Sequence, residues 1–298
     1  MVTRRACLGL AVAATASLAG AALLAWGVIV EPGRLVVRET RVLSARWPAD
    51  RPPLRIAVLT DLHVGSFRNG LERLDEVVAR TNAARPDLVV LLGDYVIHGV
   101  MFGRFVPPEA TAARLAGLRA PYGIVAVLGN HDWWLDGARI RRDLEGAGIR
   151  VLENDATSLG EGPRRFWVAG LGDLWTRPVS IPRALSGVPE GEPVILLTHS
   201  PDVFPDVPAR VALTLAGHTH GGQVALPILG RPIVPSSYGQ RYAYGLVVED
   251  GRALFVSPGI GTSLLPVRFG VPPEISMVTL AAAAEVGGLV GRVSREGK

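Results

Sequence analysis

Asp61-Leu62-His63, Gly93-Asp94, Gly129-Asn130-His131-Asp132, His199 and His218-Thr219-His220 gather five of the chain's six histidines, with carboxylates and one carboxamide, into five short clusters. Imidazole nitrogens with carboxylate and amide oxygens are donors for divalent transition ions, and no thiolate accompanies them. A lone histidine is usually a satisfied core or surface residue. Here each cluster closes an apolar run, and that joint placement points to metal ligation. In Asp61-x-His63 and His218-x-His220 the i, i+2 spacing, in extended backbone, sets both side chains on one side about 7 Å apart, so each pair can serve adjacent metal ions. Glycines 93, 129, 217, 221 and 222 suit sharp turns and close backbone approach.

The runs that deliver these clusters are Leu54 to Thr60, Asp87 to Leu92, Ile124 to Leu128, Pro193 to Thr198 and Val211 to Ala216. Their continuous Val/Ile/Leu character reads as strands buried on both faces, and segments 70–84, 108–119 and 136–147 have helical spacing between them. This alternation predicts βαβ units. In open α/β sheets the functional crevice lies beyond the strands' carboxyl ends, where all five clusters fall.

The chain has 298 residues, 48% of them apolar, and one cysteine, which excludes a disordered tail, a disulfide scaffold and a collagen-like repeat. Net charge is +4 and Lys298 is the only lysine, so the basic groups are almost all arginines. Arg139/Arg141/Arg142 and Arg164/Arg165 read as solvated faces, and no nucleic-acid partner is expected. Cys7 is alone, so there is no intrachain disulfide; it reads as a membrane-buried thiol.

Ala6 to Val30 carries no charge and follows Arg4-Arg5. As one helix it would extend about 37 Å, enough to cross a hydrocarbon core of about 30 Å. The arginine pair before an Ala/Gly-rich stretch looks like a twin-arginine export signal, here read as an uncleaved anchor. Arginines 34, 38, 41, 46, 51 and 55 would keep the far side in the cytoplasm by the positive-inside rule, but a large domain translocates with little regard to flanking charge. The expected organisation is a signal or transmembrane anchor over 1–30, a linker and first strand region over 31–53, the catalytic domain over 54–280 and a tail over 281–298.

Taken in order, Asp61-x-His63, Gly93-Asp94, Gly129-Asn130-His131-Asp132, His199 and Gly217-His218-x-His220 resemble the motif set of the calcineurin-like metallophosphoesterases. The extended ending Gly-His-Thr-His-Gly-Gly-Gln, with Ser257-Pro258-Gly259-Ile260-Gly261 and Pro273-Glu274-Ile275, is similar to the bacterial membrane-anchored or exported branch. The resemblance covers about residues 55 to 280. It implies an α/β fold, a four-layer α/β/β/α sandwich, with two divalent metal ions (Mn, Fe or Zn) at the strand ends. One ion would take Asp61, His63, the bridging Asp94 and His220; the other Asp94, Asn130, His199 and His218. His131 would be the non-ligand histidine facing substrate, with Asp132 behind it raising its pKa; the alternative for Asp132 is a cap of the next helix.

Hydrolysis of an anionic phosphodiester gains from two cations about 3.5–4 Å apart that neutralise its oxygens and acidify a bridging water. A protonated His131 would bind a non-bridging oxygen or protonate the leaving alkoxide. His98, Asp173 and Arg268 belong to no motif, and Trp133 and Trp134 read equally as cleft wall or core. The apolar stretches 100–106 and 264–269, the anchor, and the lack of a large insertion between motifs suggest a phosphodiester or pyrophosphate substrate that is lipid-linked or part of the cell envelope. The expected location is the bacterial cytoplasmic membrane with the catalytic domain extracytoplasmic. The alternatives are a soluble cyclic-nucleotide phosphodiesterase and a metal-binding envelope protein without turnover; a lactamase-type enzyme would show a His-x-His-x-Asp-His run, and none is present.

Overall fold

A computed structural model describes residues 4–283. Helix α1 (Arg4–Ala25) does not run on to Val30 as expected: a π turn over Trp26–Val30 and a 3-10 turn over Glu31–Gly33 follow it. The physical cause is tertiary. Gly27 is buried against Val267 and Phe269, and its carbonyl accepts a hydrogen bond from Arg268 N at 2.9 Å, so the end of the uncharged run folds onto the domain. Alanine, glycine, serine and threonine also dilute the leucines of α1, and no helix among the described residues is long and apolar enough to cross a membrane. Of the tail expected over 281–298, Ala281 and Ala282 belong to the last strand and residues from 284 onward lie outside the described residues, as does the side chain of Cys7.

Five strands, β1 (Val36–Ser44), β2 (Leu54–Leu59), β3 (Leu88–Leu91), β4 (Ile124–Ala126) and β5 (Arg150–Val151), form most of one sheet. The next six form another: β6 (Asp155–Leu159), β7 (Phe166–Gly170), β8 (Val194–Leu197), β9 (Val211–Ala216), β10 (Gly245–Glu249) and β11 (Arg252–Val256). Strand β12 (Glu274–Ala282) returns to the first sheet, parallel to β1 and antiparallel to β2. The orders are β1-β12-β2-β3-β4-β5 and β10-β11-β9-β8-β7-β6. Residues 36–44, expected within the linker region, thus complete a sheet edge.

Strand residues alternate between two apolar layers because successive side chains leave opposite faces. Ile56, Val58, Leu88 and Val90 meet Ile195, Leu197, Leu213 and Leu215 between the sheets. Ala57, Leu59, Val89 and Leu91 face the helices α2 (Leu71–Ala83), α3 (Pro108–Leu115) and, past the short α4 (Asn130–Leu135), α5 (Gly137–Gly146). On the far side Val194, Leu196 and Leu254 pack with α6 (Ile181–Leu185) and the 3-10 segment Pro201–Asp206. Helices, sheet, sheet, helices is the four-layer α/β/β/α order. The parallel strands β2, β3 and β4 of one sheet and β8 and β9 of the other all end at the rim where the polar clusters begin.

Candidate metal centre

The strands stop one to three residues before their ligands, and the backbone there turns left-handed. Asp61, His63, Asp94, His218 and His220 have φ of 49°, 40°, 57°, 69° and 52°. Such conformations cost on the order of 1–3 kcal/mol each outside glycine and persist only where the surroundings impose them. The surroundings here are hydrogen bonds between loops: Asp61 N donates to Gly93 O at 3.0 Å, His63 N to Asp94 O at 2.9 Å, and His218 N to Asp61 Oδ2 at 2.9 Å. The extended geometry expected for the two i, i+2 pairs is therefore replaced by tight turns. A Cβ on Gly129 would overlap Asp94 Oδ1, and one on Gly217 would overlap Thr60 Oγ1, so at both places only glycine lets the loops close.

The turns bring the side chains into three buried groups whose ligand atoms lie within 4.8 Å of one another: Asp61, His63 and His220; His63, Asp94 and His131; Asp94, His199 and His218. Asp94 Oδ2 lies 3.5 Å from His63 Nε2 and 3.3 Å from His199 Nε2, between the two ends of the cluster. Asn130 Oδ1 is 3.1 Å from His199 Nε2, and His220 Nε2 is 3.2 Å from Asp61 Oδ1. His63 Nδ1 contacts Val96 O at 3.0 Å and His199 Nδ1 contacts Leu92 O at 2.7 Å, which sets the outward proton on Nδ1 and aims each Nε2 inward. His218 and His220 fall into different groups, while Asp61 and His63 share one.

The donor set suits divalent ions. His63 Nε2 faces His220 Nε2 at 3.2 Å, acceptor towards acceptor, and Asp61 Oδ1 and His218 Nε2 are buried without hydrogen-bond partners. Converging buried lone pairs are costly unless a cation lies among them. Electrostatics agree. Burial pushes His63 and His218 down to about 3 and lowers His220, leaving neutral imidazoles, and burial raises Asp61 to about 6. Burial also opposes charge on His199, but the Asp94 carboxylate against its ring overrides this and lifts it to about 10. Burial alone would raise Asp94; His199 and His63 outweigh it and hold Asp94 well below the usual carboxylate range.

His131 opens α4 beside this cluster. Its ring lies 4.6 Å from that of His63 and 4.9 Å from that of Trp134, and its buried Nδ1 has no partner. Asp132 does not do what was expected of it. Its Oδ2 accepts from Asp94 N at 2.8 Å and Gly129 N at 2.9 Å, and its Oδ1 from Tyr95 N at 2.9 Å, so the carboxylate braces two loops and caps α4 instead of facing the His131 ring. Burial lowers the pKa of His131, with Asp94 the main carboxylate opposing it.

Of the two tryptophans, Trp133 packs into the helix-side core under Arg177 (4.5 Å), whereas Trp134 stands half exposed at the mouth. Trp175, which no motif flags, stands opposite, 6.3 Å from Trp134 and 4.5 Å from the His218 ring. Asp173 shapes that turn by accepting from Trp175 N and from the Thr176 amide and hydroxyl. A solitary tryptophan in the loop after β7, which runs parallel to β8, was the available signal. Exposed His98 lies 5.8 Å from Trp134. Arg268 is fully buried: its guanidinium donates to the carbonyls of Pro258, Gly261 and Val271, and Gly261 N in turn donates to Asp61 O. It supports the loop under the site and does not reach into the cleft.

Residues 54–222 match the family described as Calcineurin-like phosphoesterase. The chain is 32% identical over 257 residues to "Uncharacterized metallophosphoesterase YkuE" of Bacillus subtilis (strain 168), covering 84% of this chain and 87% of that protein. It is 33% identical over 256 residues to "Phosphodiesterase YaeI" of Escherichia coli (strain K12), covering 84% and 90%. A third relative, "Transmembrane protein with metallophosphoesterase domain" of Danio rerio, is 28% identical over 270 residues, 82% of this chain and 58% of that one. With the paired sheets and the His/Asp cluster at their shared rim, these matches show that the chain belongs to the calcineurin-like phosphoesterase family and is a metallophosphoesterase, a hydrolase of phosphoric esters.

Proposed function

We propose that this enzyme holds two divalent ions and cleaves a phosphodiester or pyrophosphate bond in a lipid-linked or cell-envelope substrate. Asp61, His63 and His220 would hold one ion; Asn130, His199 and His218 the other; Asp94 would serve both. The observation that carries this is the position of Asp94 Oδ2 between His63 and His199, with unpartnered donors on either side. When bound, the ions would neutralise phosphoryl oxygens and make hydroxide available near neutral pH.

The chain's own part follows from its geometry. Carbonyls of Val96 and Leu92 fix the rings of His63 and His199, so the centre is organised before substrate arrives. His131, beside the cluster and beneath Trp134, donates a proton to the departing alkoxide or binds a phosphoryl oxygen. Trp134 and Trp175 present ring faces to an organic substituent of the phosphate. That one relative is named a phosphodiesterase and another a transmembrane protein supports the diester and the membrane setting.

The test is hydrolysis of a bis-aryl and a mono-aryl phosphate with Mn²⁺ or Zn²⁺, beside Asp94→Asn and His131→Ala. Metal-dependent cleavage of the diester that both substitutions remove is expected. Two equivalents of ion bound with no turnover of either ester would favour a metal-binding envelope protein.

A further inference from the structure

Three loops beside the cleft each carry a bulky apolar side chain at a left-handed apex. Phe102 has φ 56° and is 76% exposed, Leu264 has φ 59° and is 67% exposed, and Ile228 has φ 71° and is entirely exposed. Glycine would relieve the backbone at all three, and for a β-branched residue such as Ile228 the conformation is a true outlier. Neither interior packing nor backbone preference accounts for these residues. Each side chain is held outward against both.

The three apexes belong to one surface. Met101 N donates to Leu264 O at 2.9 Å, Gln223 Nε2 to Ser263 O at 3.1 Å, and Ala225 N to Phe269 O at 2.7 Å, which joins the loop of Phe102, the loop of Leu264 and the hairpin of Ile228. The same edge receives the end of α1 through Gly27, packed against Val267 and Phe269; exposed leucines of α1 (Leu18, Leu23, Leu24) adjoin it. The surface also borders the cleft, since Gly261 of the Leu264 loop lies against His63 and the Phe102 loop follows His98.

Charge is one-sided. Segments 95–108, 220–248 and 257–273 contain no aspartate or glutamate, though the whole chain has 27, and they contain Arg104, Arg231, Arg241 and Arg268. Arg104 is exposed beside the apolar tips, whereas Arg268 is buried and Arg241 pairs with Glu249. Protruding aromatic and aliphatic tips, arginine without carboxylates, and an adjoining apolar helix together match the chemistry of a lipid–water interface with anionic headgroups.

We propose that these three loop tips insert into the surface of an anionic phospholipid bilayer and hold the mouth of the cleft against it. The inference concerns a partner surface; it draws on the phosphoesterase reading only for what the contact is for, and its test needs no turnover.

Because Cys7 is the lone cysteine, the chain carrying Cys7→Ser can receive single cysteines at Phe102, Ile228 or Leu264 for an environment-sensitive fluorophore. A control label at exposed Glu190, just before β8 and so at the opposite end of the strands, reports on non-specific effects. With phosphatidylglycerol/phosphatidylcholine vesicles, the three tip labels should shift blue and be quenched by nitroxide-bearing acyl chains, with the Glu190 label unchanged. The combined change Phe102→Asp, Ile228→Asp and Leu264→Asp should weaken vesicle partitioning about tenfold or more, leaving hydrolysis of a soluble bis-aryl phosphate unaltered. Tip labels that stay in water while the chain is vesicle-bound through α1 would overturn the proposal. So would a blue shift that needs no vesicles and grows with protein concentration, which would mark a second copy of the chain as the occupant.

Discussion

In the Asp94–His199 pair burial penalises charge on either alone, and each stabilises the other's charged form, which favours a proton on the His199 ring. An ion entering between them must displace that proton, because a metal binds neutral imidazole. Titrating Mn²⁺ into metal-free chain at pH 8 should therefore release about one proton per chain, below the value near 10 to which His199 is lifted. Calorimetry in buffers of different ionisation heat reads this directly, and no buffer dependence would show His199 already neutral. His131→Ala should lower kcat by about 10²–10⁴ for alkyl leaving groups, with a much smaller loss for nitrophenyl esters that leave unaided. Asp132 makes a different prediction. Removing its carboxylate strands the amides of Asp94, Tyr95 and Gly129, so Asp132→Ala should cost about 2–4 kcal/mol in urea unfolding, with Asp132→Asn costing less.

Among the elements, the loops do the positioning and the strands set where the loops start. Gly217→Ala would drive a methyl into Thr60 and Asp61. It should destabilise by about 1–3 kcal/mol and weaken Mn²⁺ binding together, as thermal shift with and without the ion would show. The strands and helices were legible in the sequence because their signals are local: Val194–Leu197 needs only its own apolar run, and α2 only its periodicity. The places where the polar clusters begin were legible too, since each lies just past its strand. What was hidden depends on partners far along the chain. Asp132 reads as a neighbour of His131, yet its partners Asp94 and Tyr95 belong to the preceding loop. The left-handed turns, which replace extended pairs, are imposed by bonds such as His218 N to Asp61. Arg268 belongs to no motif, and its role shows only in the fold, where it is buried among carbonyls from three points along the chain. Ala6–Val30 reads as one span, but contacts with Val267 and Phe269 end the helix early.

In the whole molecule, the centre joins the two sheets at their shared rim, beside the apolar layer packed between them. Asp61, Asp94 and Asn130 follow strands of one, and His199, His218 and His220 follow strands of the other. Ions bound there act as a clamp, so Mn²⁺ at about 100 times its Kd should stabilise the fold by about 2.7 kcal/mol. Chelation should lower the unfolding midpoint by the corresponding few degrees, and Asp94→Asn should abolish most of that difference.

Strand β12 sits between β1 and β2, although β1 and β12 are the first and last strands among the described residues. At synthesis rates of about 5–20 residues per second, β1 waits on the order of ten to fifty seconds for its neighbour. Throughout that interval it is a nine-residue strand with an open edge, the form of chain most prone to pair with a stranger. Its own letters carry a safeguard: Arg38, Glu39 and Arg41 interrupt the valines and leucine. Charge placed in β1 thus guards the sheet until its last piece arrives, and afterwards guards the edge that β1 remains.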